Sequence, residues 1–332
     1  MDVPRPKTGQ TVAMSDNEPI AESVQSVDQP FGKALIEVAR RRPEVVGLTA
    51  DLGKYTDLDK FGQQFPERFF QVGMAEQNLI GISAGLARVG YIPFATTYCV
   101  FASRRAYDFI AIDVAYARAN VKIIAGLPGL TTGYGATHQG IDDLALMRAI
   151  PNMTVIDPCD ATETQQAVDA IANYDGPVYM RLLRGRVKRV LDEKNYRFEI
   201  GKAKLIRSAG DVLFVSTGLM TGRALQAATL LAEEGIRAGV LHVSTLKPFD
   251  SETLLQVVSG VGALVSLENH TTIGGLGSAV SDTLCEAGIA IKMAKVGVPD
   301  CFVECGSVDY LVEKYGLSVS SIALTARQLL LR

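Results

Sequence analysis

The chain has 332 residues, with 33 Lys and Arg against 36 Asp and Glu and a net charge of −3. Its composition, 48% apolar and 21% charged, is that of an ordinary globular protein long enough for one large or two medium domains, and the balanced charge excludes a basic field for nucleic acid or anionic lipid. Five scattered cysteines with no C-x-x-C pair and only three histidines argue against a zinc site or a disulfide scaffold and for a reducing compartment.

Residues 1–28 are polar, acidic and proline-bearing, and read as a disordered extension without an apolar run of signal-peptide length. The longest apolar stretch, 80–102, is interrupted by Arg88, Gly90 and Pro93; it reads as a helix followed by a strand rather than a membrane span. A cytoplasmic protein is expected. From Phe31 onward β-branched runs alternate with helical windows: helix 33–41, strands 45–50 and 69–72, helix 75–89, strand 93–97, helix 103–118, strand 121–127 and helix 141–150, stopped by Pro151. Strand 153–157 precedes a helix opening at Asp160 with Glu163 three residues on, a capping-box arrangement, and strand 178–183 closes a first domain over 29–190.

Residues 184–204 are charged and aperiodic, and 191–204 is taken as the linker. The alternation restarts over 205–332: strand 212–216, helix 221–234, strand 240–243, helix 251–258, strand 263–267, helix 278–286, a strand near 291–296 and two C-terminal helices. Buried strands separated by helices imply parallel β-α units. The expected class is α/β, with two doubly wound domains.

Four segments could carry chemistry. In Gly73-Met-Ala-Glu76-Gln-Asn a carboxylate sits in the first turn of an apolar helix. It could simply complement the helix dipole, or, held between that dipole and apolar burial, exchange a proton with a ligand nitrogen. The Gly-rich loop 126–140 ends in Thr137-His138-Gln139, between a strand and a helix where ligands of α/β domains bind, and its glycines would permit close backbone approach. Tyr98 and Phe101 have the spacing to offer two ring faces to a planar ligand, or to pack in the core. Gly274-Gly-Leu-Gly277 could bind an anion at a helix start, but it lacks the P-loop lysine and the dinucleotide spacing, and close helix–sheet packing is the favoured reading. Cys301 and Cys305 have no nearby histidine in the sequence, and no metal site is assigned to this chain.

Taken in order from about residue 30 to the end, these segments resemble the C-terminal half of transketolase. The residues that carry it are Ala50-Asp51-Leu52, Gly73-Met-Ala-Glu76-Gln-Asn, Thr97-Tyr-Cys-Val-Phe101, Gly135-Ala-Thr-His138-Gln and Ile150-Pro-Asn through Asp160-Ala-Thr-Glu163; then Gly218, Leu246-Lys-Pro-Phe-Asp250, Glu268-Asn-His270 and Gly274-Gly-Leu-Gly277. The resemblance implies a pyrimidine-binding domain followed by a transketolase C-terminal domain. It also implies that the glutamate matching Glu76 hydrogen-bonds the aminopyrimidine of thiamine diphosphate and promotes loss of the thiazolium C2 proton. A two-carbon ketol unit then passes from a ketose to an aldose. By the same resemblance Tyr98 and Phe101 pack on the pyrimidine, Asp51 lies near the coenzyme at a subunit interface, and His138 faces the substrate's hydroxyl end.

The family's diphosphate-binding domain carries Gly-Asp-Gly, which occurs nowhere in this chain. The reading is therefore the second subunit of a split transketolase, whose N-terminal-half partner holds Mg²⁺ and the diphosphate, in an α2β2 assembly. Where family members acting on sugar phosphates carry Arg, Ser and His, this chain has Asp28 or a neighbour, Tyr55 and Gly126; Arg181 and Arg184 are left as anion contacts. That departure points to a non-standard sugar such as apulose 4-phosphate, with ordinary pentose-phosphate exchange left open if Lys54 or the partner supplies the contacts. Two alternatives stand: the β subunit of a 2-oxoacid dehydrogenase, and a non-catalytic α/β binding module.

Overall fold

The computed structural model describes residues 25–331, so residues 1–24 of the expected disordered extension lie outside the described residues. Fourteen strands are found among the described residues: β1 (Ser26–Asp28), β2 (Val45–Thr49), β3 (Phe69–Gln71), β4 (Ile92–Tyr98), β5 (Lys122–Gly126), β6 (Thr154–Ile156), β7 (Val178–Leu182), β8 (Arg186–Lys188), β9 (Lys204–Arg207), β10 (Val212–Ser216), β11 (Ala238–His242), β12 (Thr245–Lys247), β13 (Ala263–Thr271) and β14 (Lys292–Val298). They build a seven-stranded sheet in the order β12-β6-β7-β5-β4-β2-β3 and a five-stranded sheet in the order β14-β13-β10-β11-β9. Within these two sheets all pairings are parallel except those of β12 with β6 and β9 with β11, each at a sheet edge. Parallel strands covered on both faces must be apolar throughout; β2, β4, β5 and β7 are buried at every position. Pro93 is tolerated in central β4 because it pairs only with Val46 of β2, one residue before the ladder to β5 begins at Phe94.

Helices Pro30–Arg41 and Ala161–Asn173 cover one face of the larger sheet, over a core containing Phe31, Leu35, Ile124, Ile156 and Met180. On the other face, Ile80, Ile123, Val155 and Tyr179 belong to one continuous apolar cluster with Val215, Leu241, Leu264 and Val280 of the second half. The two halves thus share a core. A further cluster, including Phe214, Met220, Val265 and Ile322, fills the outer face of the smaller sheet.

Four segments differ from their sequence expectations. Residues 26–28, assigned to the disordered extension, form β1 and pair antiparallel with β8. The expected linker is not a free tether: Leu191, Tyr196 and Phe198 are buried in the first-half core, and the Tyr196 hydroxyl donates to Glu163. The single helix expected over 103–118 is instead a helix Cys99–Arg105, a short turn Tyr107–Phe109 and a π-helical stretch Ile110–Tyr116. Finally, β12 comes from the second half yet completes the edge of the first sheet. The Asp160 cap forms as the sequence implies, its Oδ1 accepting from Glu163 N at 2.7 Å, but Glu163 accepts from Cys159 N rather than closing on Asp160 N.

Candidate active site

The C-terminal ends of β2, β4 and β5 open onto one surface, where ligands bind in doubly wound sheets. Strand β3 and Gly73 lead into helix Glu76–Arg88, so Glu76 is its first residue. Its carboxylate is buried, 4% exposed, and its Oε1 accepts from Arg105 Nη1 at 3.0 Å. Arg105 ends the helix that follows β4, and its guanidinium also lies 4.0 Å from the centre of the Phe101 ring. Tyr98 and Phe101 are 5.7 Å apart between ring centres. His138 meets Phe101, Tyr98 and Tyr134 edge-on at 5.4, 6.2 and 5.5 Å. A buried carboxylate, a wall of rings and an imidazole are therefore joined in one continuous cluster.

The electrostatics follow from that packing. Partial burial, with Arg105 adding to it, holds His138 below the ordinary imidazole value, so the ring is neutral at pH 7, and Thr137 Oγ1 lies 2.9 Å from its Nδ1. Burial raises the Tyr98 phenol, opposed by the nearby charge of Arg184. Asp51 stands at φ 58°, pinned by Gln71, whose Oε1 accepts from Asp51 N and Gly73 N while its Nε2 donates to Asp51 Oδ1. This one amide ties the Asp51 turn to the start of the Glu76 helix. Arg184 lines a small cleft with Leu127, Thr131 and Arg186 and reaches solvent there.

Arg181 does not. It is 1% exposed; its Nε and Nη2 pair with Asp143, and Nη1 contacts Asp157 Oδ2 at 3.3 Å and Asn269 O at 3.1 Å. Burial opposes ionisation of Asp143, but the paired Arg181 outweighs it and keeps that carboxyl low. Asp157, with the weaker contact, is pushed up to about 6 by burial. The side chain expected to bind substrate is consumed by a buried ion network.

One further expectation changes, and the close helix–sheet packing favoured for Gly274–Gly277 is found, since Cβ atoms on Gly275 and Gly277 would collide with Glu268 and Ser266 of β13. The glycines of loop 126–140 are approached by the chain itself: a Cβ on Gly129 would collide with Asn269, and one on Gly133 with Gly306 O. The Gly274–Gly277 turn already holds an anion from the same chain, because Glu268 accepts from Leu276 N and Gly277 N at 2.7 and 2.8 Å. Among the described residues Cys159, Glu163 and His242 cluster closely enough for a metal. Their atoms are committed to one another and to neighbours: His242 Nε2 pairs with Glu163 at 2.8 Å, and its Nδ1 lies 2.7 Å from Thr221 Oγ1. The sequence reading missed Arg105, which stands four residues after Phe101, the helical spacing that stacks it over the ring. Tyr134 and Gln71 had no comparable signal.

Fold and cluster define an α/β protein of two mostly parallel sheets in which a buried acid, an arginine, aromatic rings and an imidazole gather at the ends of β2, β4 and β5. Two family models match: the transketolase pyrimidine-binding domain over residues 24–189 and the transketolase C-terminal domain over residues 201–322. The chain belongs to the transketolase family, and carries these two of its domains. It is 45% identical over 295 residues to the SqwH chain of 6-deoxy-6-sulfo-D-fructose transketolase from Clostridium sp., covering 89% of this chain and 91% of that one. It is 33% identical over 308 residues to one of the subunits of the apulose-4-phosphate transketolase of Phocaeicola vulgatus, covering 92% and 98%. A solved structure described as a split gene transketolase, inactive beta4 tetramer, superposes with a TM-score of 0.84 at 45% identity, over 91% of this chain and 97% of that one. Both alternatives, the 2-oxoacid dehydrogenase subunit and the non-catalytic module, are set aside by these matches.

Proposed function

We propose that this chain is the ring-binding subunit of a split transketolase, moving a two-carbon ketol unit from a ketose phosphate to an aldose phosphate. The observation that carries the reading is the Glu76–Arg105–Phe101–His138 cluster, which fits the pyrimidine end of thiamine diphosphate. When bound, that coenzyme supplies the electron sink for carbon–carbon cleavage. Glu76 would hold the proton exchanged with the ring, Arg105 fixes the carboxylate's orientation, and Tyr98 and Phe101 exclude water from that face. Neutral His138 can accept a hydrogen bond from a sugar hydroxyl, and Arg184, with Asp51 beside the entrance, would meet the anionic and coenzyme-facing parts. Arg181 only braces the loop.

A partner with Gly-Asp-Gly would hold Mg²⁺ and the diphosphate, in an α2β2 assembly within the cytoplasm. An apolar strip supports a docking surface: Met74 and Tyr116 are 80% and 81% exposed, with Ile82, Val89, Phe109 and Ile112 also exposed around the Glu76 helix. None of the described helices is long and apolar enough to cross a membrane. Tyr55 and Gly126, in place of phosphate donors, and the two relatives named for unusual sugars favour a branched or otherwise modified ketose. In a reconstitution test, the chain alone should show little thermal shift with thiamine diphosphate and Mg²⁺, and the paired subunits a large one. Ketol transfer would then be assayed on a panel including apulose 4-phosphate and sulfonated ketoses. Transfer by the single chain would refute the split-site reading.

A further inference from the structure

The loop that presents His138 has little structure of its own. Within it, Gly129 N donates to Gly140 O at 2.8 Å, Gln139 Nε2 to Thr132 O at 3.1 Å and His138 N to Gly135 O at 3.0 Å. Its other anchors come from both halves: from the first, Arg104 Nη1 donates to Ala136 O at 3.3 Å and Arg181 Nη2 to Gly140 O at 3.2 Å, and the rest come from the second. Asn269, at the end of β13, accepts from Leu130 N at 2.9 Å through Oδ1 and donates to Pro128 O at 3.1 Å through Nδ2. Thr271 N donates to Ile141 O at 2.8 Å, and Gly306 N to Gly133 O at 3.2 Å. On either side of Asn269, Glu268 caps the helix at Leu276, and His270 Nε2 accepts from Ala145 N at 3.3 Å. The Glu-Asn-His run is thus spent entirely on fixing neighbouring backbone.

Asn269 is 3% exposed with both ends of its carboxamide engaged. Pro128 has no N–H and Leu130 offers one, so this segment needs a donor and an acceptor presented side by side. A neutral amide supplies both, a carboxylate lacks the donor, and leucine lacks both. A buried amide N–H left without its acceptor would drive the segment to rearrange.

We propose that Asn269 is a positioning residue for His138: by clamping Pro128 and Leu130 it sets the loop, so that the second domain, which supplies none of the side chains named around Glu76, fixes the substrate-facing end of the site. The proposal rests on the reading of His138 as a sugar contact, and its test separates the two. With three histidines in the sequence, two of them buried, ¹H–¹³C NMR of the full-length chain can follow His138 alone. In Asn269→Leu the His138 resonance should move and its titration midpoint rise toward the ordinary imidazole value as the loop loosens, while the His242 resonance, on β11, stays in place. In the reconstituted complex KM for the sugar should rise about tenfold with a much smaller change in kcat, as for lost ground-state positioning. Should Asn269→Leu fail to fold, Asn269→Asp keeps the acceptor for Leu130 N and loses the donor to Pro128 O, and the same shift is expected. An unmoved His138 midpoint in either folded variant overturns the clamp. A moved midpoint with unchanged KM upholds the clamp and overturns the sugar-contact reading of His138.

Discussion

On the proposed reading, Glu76 and Arg105 show how little separates a structural carboxylate from a chemical one. An acid at a helix start is common, because the dipole welcomes it. Here it is buried and braced by a cation that also stacks on Phe101, so its orientation is fixed in advance of any ligand. Glu76→Ala should lower turnover of the reconstituted enzyme by on the order of 10²-fold, the usual size of a lost proton-transfer group; turnover near wild type would take Glu76 out of the mechanism. Asp57 gives a pH-dependent prediction. Burial pushes its carboxyl up to about 6, although Gly185 N donates to it at 2.9 Å. The folded chain therefore binds this proton more tightly than the unfolded one, and stability falls as pH rises from about 4 to 6. Relative to Asp57→Asn, the wild type should lose on the order of 2–3 kcal/mol between pH 4 and pH 7. Guanidinium denaturation at both pH values gives the comparison, and parallel profiles would contradict it.

Among the elements, the segments that carry the family resemblance outside the site turn out to be joints. In Leu246-Lys-Pro-Phe-Asp250, Lys247 Nζ donates to Arg148 O and Ile150 O, closing the end of helix Asp143–Ala149. Asp250 caps helix Ser251–Val258 through Thr253 and also accepts from Ala203 N at 2.9 Å. Because it serves two segments, Asp250→Ala should cost about 2 kcal/mol, the upper range for a lost cap; a loss below about 0.5 kcal/mol in urea denaturation would show the second bond to be idle. The helix and strand sequence was largely legible from periodicity, since buried parallel strands and amphipathic helices leave plain patterns. Strand β12 was not: three residues, Thr245–Lys247, are too short to show a period, and their partner β6 lies far back in the chain. The break at Ala106 was equally hidden, as no Gly or Pro marks it.

Across the whole molecule, the two halves are bound by a common apolar core and by buried polar pairs. Glu163 of the first half and His242 of the second are both fully buried. Burial works against charge on each, yet their mutual attraction raises the imidazole and lowers the carboxyl. Removing one partner strands the other, so Glu163→Ala should destabilise the chain by about 3–5 kcal/mol. Calorimetry should still show one transition, because the core is continuous; two separated transitions would mean that the halves fold independently.

The amino-acid order alone determined the α/β class, the run of strands and helices, the acid at residue 76 with its aromatic companions, and the missing Gly-Asp-Gly. Each is a local pattern, written within one element or a short motif. Only the tertiary structure decided what distant residues do to one another. It spent Arg181 on two aspartates, filled the Gly274–Gly277 turn with Glu268, and set Arg105 between Glu76 and Phe101. It also handed the His138 loop to Asn269, 131 positions further along the sequence. Such assignments depend on which charges and amides meet once water is excluded, and that is fixed by packing rather than by spacing along the chain.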